Sequence, residues 1–172
     1  HMGGWDAPMG IALVADRLSG LMAVVSAVVL LAVLVFAMGQ PGTEQEQPSF
    51  HPVYLVLAAG VFLSFLTGDL FNLFVAYEIT LAASYVLITL GGRREQVRTG
   101  MTYIIINLLA STLFVMGIAW VYAATGTMNM ADLAVRLPQL AAENQRMAQS
   151  ALLMLLVVFA VKAALLPLSF WL

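Results

Sequence analysis

The chain has 172 residues, 62% of them hydrophobic and 9% charged, with a formal net charge of -2, where a soluble domain carries about 25% charged residues. Its apolar residues come in runs about as long as a bilayer is thick, which excludes a water-soluble globule. There is no basic cluster able to track a nucleic-acid backbone, and with no cysteine there is no disulfide, thiolate metal site or iron–sulfur site.

The first run, Leu18 to Met38, is uncharged throughout and as a helix rises roughly 31 Å, close to the ~30 Å hydrocarbon core. Asp16-Arg17 ahead of it reads as an interfacial anchor, with Trp5 in the aromatic belt. Residues 39–52, with Pro41, Gly42, Glu44, Glu46 and Pro48, form a polar connection. Val53 to Thr67 is a second span, extendable from His51 to Gly68. Phe71 to Leu90 is a third, closed by Gly91-Gly92 in the manner of a helix C-cap, and Thr102 to Ala124 is a fourth.

Residues 127–149 differ in character. Asn129 followed by Asp132 resembles a helix start, and Pro138 suits the first turn of a second short helix. Leu133, Leu137, Leu140 and Ala141 oppose Arg136, Gln139, Glu143 and Arg146, so the stretch reads as an amphipathic excursion at the membrane surface. The last run, Ala151 to Leu172, stops on an apolar residue, as expected of a piece of a longer protein. The whole is an all-α, polytopic bundle of about five spanning helices forming one partial transmembrane domain. Arg93, Arg94 and Arg98 put the 91–101 loop in the cytoplasm by the positive-inside rule. The N-terminus, counted back from that loop, is then outside the cell membrane.

Two ionisable residues lie deep inside apolar runs, Glu78 in the third and Lys162 in the last. A lysine at a helix centre costs about 2.5–3.5 kcal/mol and a carboxylate a comparable amount, so intramembrane charges usually mark ion or proton paths. In the expected topology their depths differ by roughly 6 Å, which a lysine side chain can cover. Separating such a pair would help Lys162 release a proton. The bland alternative is that they neutralise each other and only hold two helices together.

Pro167, five residues after Lys162, leaves the carbonyl of Ala163 without its helical donor, so the last helix should break or kink near it. That predicts either a polar pocket beside Lys162 or a simple bend. Asn107 and Ser111, one turn apart, could carry a water chain or make interhelical hydrogen bonds. Asp69 reads as the cap of the third helix, with a relay role as the alternative. His1 and His51 are too few for a metal site, and no nucleophile–base set or phosphate loop is present, so neither a cofactor nor catalysis is expected.

The run from Thr67 to Gly92, TGDLFNLFVAYEITLAASYVLITLGG, resembles the fourth-to-fifth helix region of the D-type subunit of Mrp-type multisubunit Na+/H+ antiporters. APMGIALVADRLS at 7–19, GTMNMADL at 126–133 and FAVKAALLP at 159–167 resemble that protein at the same relative places. The wider family includes antiporter-like subunits of respiratory complex I and membrane-bound hydrogenases. The resemblance implies a transporter subunit with Glu78 as the fifth-helix glutamate and Lys162 as the lysine of a broken seventh helix, a pair that drives proton transfer. It further implies other subunits, protons, Na+ and lipid as partners. Such a subunit has about fourteen helices in inverted repeats, so this chain would hold helices three to seven and not a complete path. A proton-pumping subunit of a redox-driven complex and a non-conducting scaffold subunit are the other readings.

Overall fold

Each apolar run folds as a helix. The computed structural model describes residues 4–39 and 47–169, with α1 at Arg17–Met38, α2 at Phe50–Leu66, α3 at Leu70–Thr89, α4 at Arg94–Thr125, α5 at Met130–Arg136 and α6 at Ala142–Lys162. A 3-10 turn, Leu137–Gln139, carries Pro138 in its first turn. Four of the helices are long and apolar enough to cross a membrane, and α2 is a shorter apolar helix. Most of the acidic 39–52 connection, residues 40–46, lies outside the described residues.

The helices start and stop for local reasons. Asp16 is the N-cap of α1: its carboxylate accepts from Ser19 N at 2.7 Å, and Ser19 Oγ accepts from Asp16 N at 2.8 Å. This reciprocal capping gives Asp16 a more specific task than the anchor role expected of it, and the bond from the Ser19 amide holds its carboxyl below the ordinary 3.8. Gly92, at φ +64°, makes the turn between α3 and α4. Helix α4 has 32 residues, about 48 Å, and begins well before Thr102 because Arg94, Glu95, Gln96 and Arg98 are good helix formers. Their charge bars them from hydrocarbon, not from a helix.

Helix α6 differs from the expected Ala151–Leu172 run in the same way. It starts at Ala142, so residues counted with the 127–149 excursion form its first turns, and it ends at Lys162. Asn129 caps α5, its side chain accepting from the amides of Ala131 and Asp132 at 3.1 Å each.

The chain forms two compact units. One comprises Val14–Leu66 and Val75–Ile104. Here Ala37, Phe50 and Tyr54 are buried against Leu30, Leu34, Leu57, Leu87 and Leu90, and Tyr54 Oη donates to the carbonyl of Leu30 at 2.6 Å. Helix α2 meets α3 at Gly60, where a Cβ would lie 2.5 Å from Thr80 Oγ1, 3.0 Å from Thr80 N and 3.1 Å from Ala76 O. Only glycine permits that approach.

The other unit joins the N-terminal segment up to Leu13, Thr67–Phe74 and the chain from Ile105 onward. Three connections pair with one another at one end of it. Gly68 N donates to Ala12 O, Leu70 N to Met128 O and Met130 N to Gly68 O, at 2.8 to 3.0 Å. Thr67, Asp69, Asn72, Thr125, Thr127 and Asn129 are buried there, with their side chains engaged in hydrogen bonds. Irregular backbone at membrane depth has no water to satisfy it, so this mutual pairing is what allows the non-helical segments.

Away from that end, α4 and α6 run antiparallel along a seam. Its buried residues recur at helical spacing, Asn107, Ala110, Ser111, Phe114, Ile118, Val121 and Ala124 on α4 against Ala148, Ala151, Leu155 and Val158 on α6. Gly117 admits the α6 side chains, since its Cβ would meet Leu155 Cδ2 at 2.7 Å.

The α2–α3 approach makes a test. Replacing Gly60 with Ala should destabilise by about 1–3 kcal/mol, the usual cost of overpacking against atoms that cannot rotate away. Gly20→Ala in α1, where nothing lies within 4 Å, should raise the melting temperature instead, because alanine is the better helix former. Thermal unfolding of the purified protein in detergent separates the two.

Candidate functional site

Lys162 is the last residue of α6, and the chain turns away directly after it. Ala164 N donates to Val161 O and Leu165 N to Ala160 O, both at 3.0 Å, which is the two-bond closure that ends many helices. It needs a left-handed residue, usually glycine, and Ala164 supplies it at φ +51°. The break near Pro167 therefore falls upstream of the proline, and the carbonyls of Ala160 and Val161 receive donors from the turn.

That ending sets the environment of the amine. The unpaired carbonyls of a helix's last turn carry partial negative charge, which favours a cation there. Lys162 Nζ lies 3.3 Å from Ser111 Oγ on α4; the ammonium donates and the hydroxyl oxygen accepts. Ser111 is 3% exposed, and Asn107, one turn away on the same helix, is 5% exposed. The structure thus brings together three of the residues expected to matter, Lys162, Ser111 and Asn107, on one seam.

The other expected residues stand apart from it. Glu78 is half-buried on α3 and belongs to the unit of Val14–Leu66 and Val75–Ile104, whereas Lys162 belongs to the other. Asp69 caps α3: its Oδ1 accepts from Phe71 N at 2.9 Å and Asn72 N at 3.0 Å. It lines a cavity of about 330 Å³ together with Met9, Phe71, Tyr122 and Thr127. That cavity sits at the Thr125 end of α4, roughly 21 Å along the helix from Ser111, and Lys162 takes no part in it.

Sequence reasoning passes over the aromatic neighbours of the amine. Phe114 stacks edge-to-face with Phe74, ring centroids 5.8 Å apart, and with Phe159 at 5.4 Å. Their signal is present in the chain, since Phe114 follows Ser111 by three residues and Phe159 precedes Lys162 by three. Reading it requires the α4–α6 register, which spacing alone does not supply.

The excursion after α4 is tied back by charge. Arg136 Nε donates to Asp132 Oδ1 at 3.0 Å, with Oδ2 at 2.9 Å, and Arg136 Nη1 donates to Thr125 O at 3.1 Å. The hydrogen bond from Arg136 holds the Asp132 carboxyl below the ordinary 3.8.

Apolar spanning helices, paired connections and a lysine held inside the bundle define a multi-pass membrane protein of the ion-translocating kind. Residues 67–172, more than half of the chain, match the family described as NADH:quinone oxidoreductase/Mrp antiporter, TM, and the chain belongs to that family. It is 47% identical over all 172 of its residues to the D-type subunit of the Na+/H+ antiporter of Alkalihalophilus pseudofirmus, covering 34% of that protein. Its fold matches a chain of the Mrp complex from Dietzia sp. with a TM-score of 0.82 and 35% identity, covering 97% of this chain and 31% of that one. A chain of the membrane-bound sulfane sulfur reductase, an archaeal respiratory membrane complex, matches with a TM-score of 0.85 and 33% identity over 99% of this chain and 34% of that one. The chain thus spans about a third of the length of the proteins it matches.

Two outcomes check this geometry. Ala164→Gly removes left-handed strain of about 1–2 kcal/mol while costing about 0.5–1 kcal/mol in chain entropy, so a small net gain in melting temperature is expected, and Ala164→Val should lose stability. Because folding depresses the Asp132 carboxyl, its contribution is fully present above the ordinary aspartate range and lost as pH falls through it. Asp132→Asn should therefore lower the melting temperature near neutral pH and make little difference at about pH 3.

Proposed function

We propose that this chain is the proton-handling part of a subunit of a multisubunit Na+/H+ antiporter, with Lys162 taking up and releasing the proton and Glu78 tuning it. The observation that carries the reading is Lys162 Nζ at 3.3 Å from the buried hydroxyl of Ser111, where α6 ends among apolar helices. A lysine kept at such depth at about 2.5–3.5 kcal/mol is usually kept for use.

Ser111 suits a group that changes protonation state. A hydroxyl accepts from an ammonium and donates to a neutral amine, so it can partner Lys162 in either form. A carboxylate drawn near favours the ammonium and one drawn away favours release, which is the part given to Glu78. Asn107 extends the polar line by one turn. Coupling to Na+ and completion of the path fall to the rest of the subunit and to other subunits of the complex, in keeping with the name of the relative that is 47% identical and the assembly to which the Dietzia sp. chain belongs. In this reading the protein sits in the cell membrane as one partial transmembrane domain. Its N-terminus is outside, the 91–101 loop is cytoplasmic, and the segment 127–149 lies at the outer surface.

A second reading draws on the likeness to the archaeal respiratory complex: the same Lys162 chemistry would serve a pump driven by electron transfer, without Na+ exchange. The test for both is Lys162→Ala in the full-length protein within its assembled complex, reconstituted in vesicles. Na+-dependent proton exchange should be abolished while the subunits still copurify, and Lys162→Arg should also fail, because a guanidinium does not give up its proton. Undiminished exchange in Lys162→Ala ends the antiporter reading, and pumping driven by an electron donor without Na+-dependent exchange selects the second.

A further inference from the structure

We infer that Phe114, packed between Phe74 and Phe159, is the seal that keeps the proton on Lys162 from leaking along the α4–α6 seam toward the Thr125 end. This rests on the reading of Lys162 as the proton-carrying group.

The seam changes character at one place. Lys162 faces Ser111, and one turn further along both helices Phe159 faces Phe114. Beyond them Leu155 lies against Gly117, followed by Ile118, Val121 and Ala151. Phe114 and Val121 are 0% exposed, Ile118 2% and Val158 0%. The polar side chains on the buried face of α4 are Asn107 and Ser111 on one side of the aromatic contact and Thr125 on the other, leaving roughly 21 Å of helix between Ser111 and Thr125 lined by carbon. A buried water needs two to four polar partners, and about one probe sphere of space. Neither is offered between Phe114 and Val121, so no water file reaches Lys162 from that end.

The rings close the seam at its first apolar turn, next to the amine. Phe114 meets Phe74 at 86° and Phe159 at 73° between ring planes, so each edge fills the space over a neighbouring face, the favoured arrangement of aromatic pairs. Helices α3, α4 and α6 each supply one ring. Without such a stop, a carrier that binds a proton at Lys162 would lose it down the gradient between exchange events.

The test must make the seam wet. Truncation to alanine would leave a cavity lined by Leu, Ile and Phe, and cavities of that kind stay dry. Phe114→Ser opens the same space and continues the hydroxyl line from Ser111. The full-length protein in its assembled complex is reconstituted in vesicles without Na+, the membrane potential is clamped, and the decay of an imposed pH gradient is followed with a pH-sensitive dye. Phe114→Ser should dissipate the gradient several-fold faster than wild type. Phe114→Leu, which refills the space with carbon, should match wild type, and Phe114→Ser with Lys162→Ala should return to the wild-type rate.

A Phe114→Ser complex that holds its gradient as wild type does overturns the proposal, and so does a leak that persists without Lys162. If Phe114→Ser does not assemble, Phe159→Ser opens the same contact from α6, with the same two outcomes deciding. Failure here is distinct from failure of the antiporter reading: that reading falls when Lys162→Ala leaves Na+-dependent exchange intact, whereas the seal falls with exchange normal and the gradient held.

Discussion

An amine inside a lipid-facing bundle must be held by something polar, and the contact between Lys162 and Ser111 is where this fold meets that demand. The rest of the seam serves it. The antiparallel register of α4 and α6 puts the hydroxyl opposite the amine, the helix ending puts the amine beside the carbonyls of its own last turn, and the rings of Phe114 and Phe159 fill the next layer. Moving the register by one residue would point Ser111 elsewhere and leave a charge with no partner in a low-dielectric site, which is far costlier than the hydrogen bond is favourable. The carbon contacts along the seam therefore do more than hold two helices together, because they fix the one alignment in which the polar group is satisfied.

Most of the fold can be read from the chain, and the misses share a cause. Apolar runs locate α1, α2 and α3 to within a few residues because both their ends are marked, by Asp16, by Pro48 and by Gly91-Gly92. They place the starts of α4 and α6 too late, because a count of apolar residues stops at the first charges while helical hydrogen bonding continues through Arg94, Glu95, Glu143 and Arg146. The end of α6 is displaced for the opposite reason. Pro167 is a visible breaker, but the turn is made by Ala164 in a conformation that alanine's sequence statistics do not announce.

The site is legible in its parts. Lys162 and Glu78 declare themselves as charges within apolar runs, and Asn107 and Ser111 as a polar pair on one helical face. Which pair meets which depends on helix packing and is not written in local spacing. Asp69 shows the reverse: its capping bonds to Phe71 and Asn72 are local, so the sequence can state them. Chains about three times as long carry this same portion, and the two compact units stand in it with their own internal bonding.

Helix α1 is apolar on every side, with large side chains such as Leu18, Val24, Leu31 and Phe36 all more than half exposed. Such a cylinder has no hydrophobic reason to prefer one azimuth over another in oil. The phenol of Tyr54, bonded to the Leu30 carbonyl at 2.6 Å, supplies a directional preference that greasiness cannot. Rotation of α1 about its own axis is thereby indexed by one acceptor on its backbone, so the helix can present a defined flank to whatever surrounds it, lipid or protein.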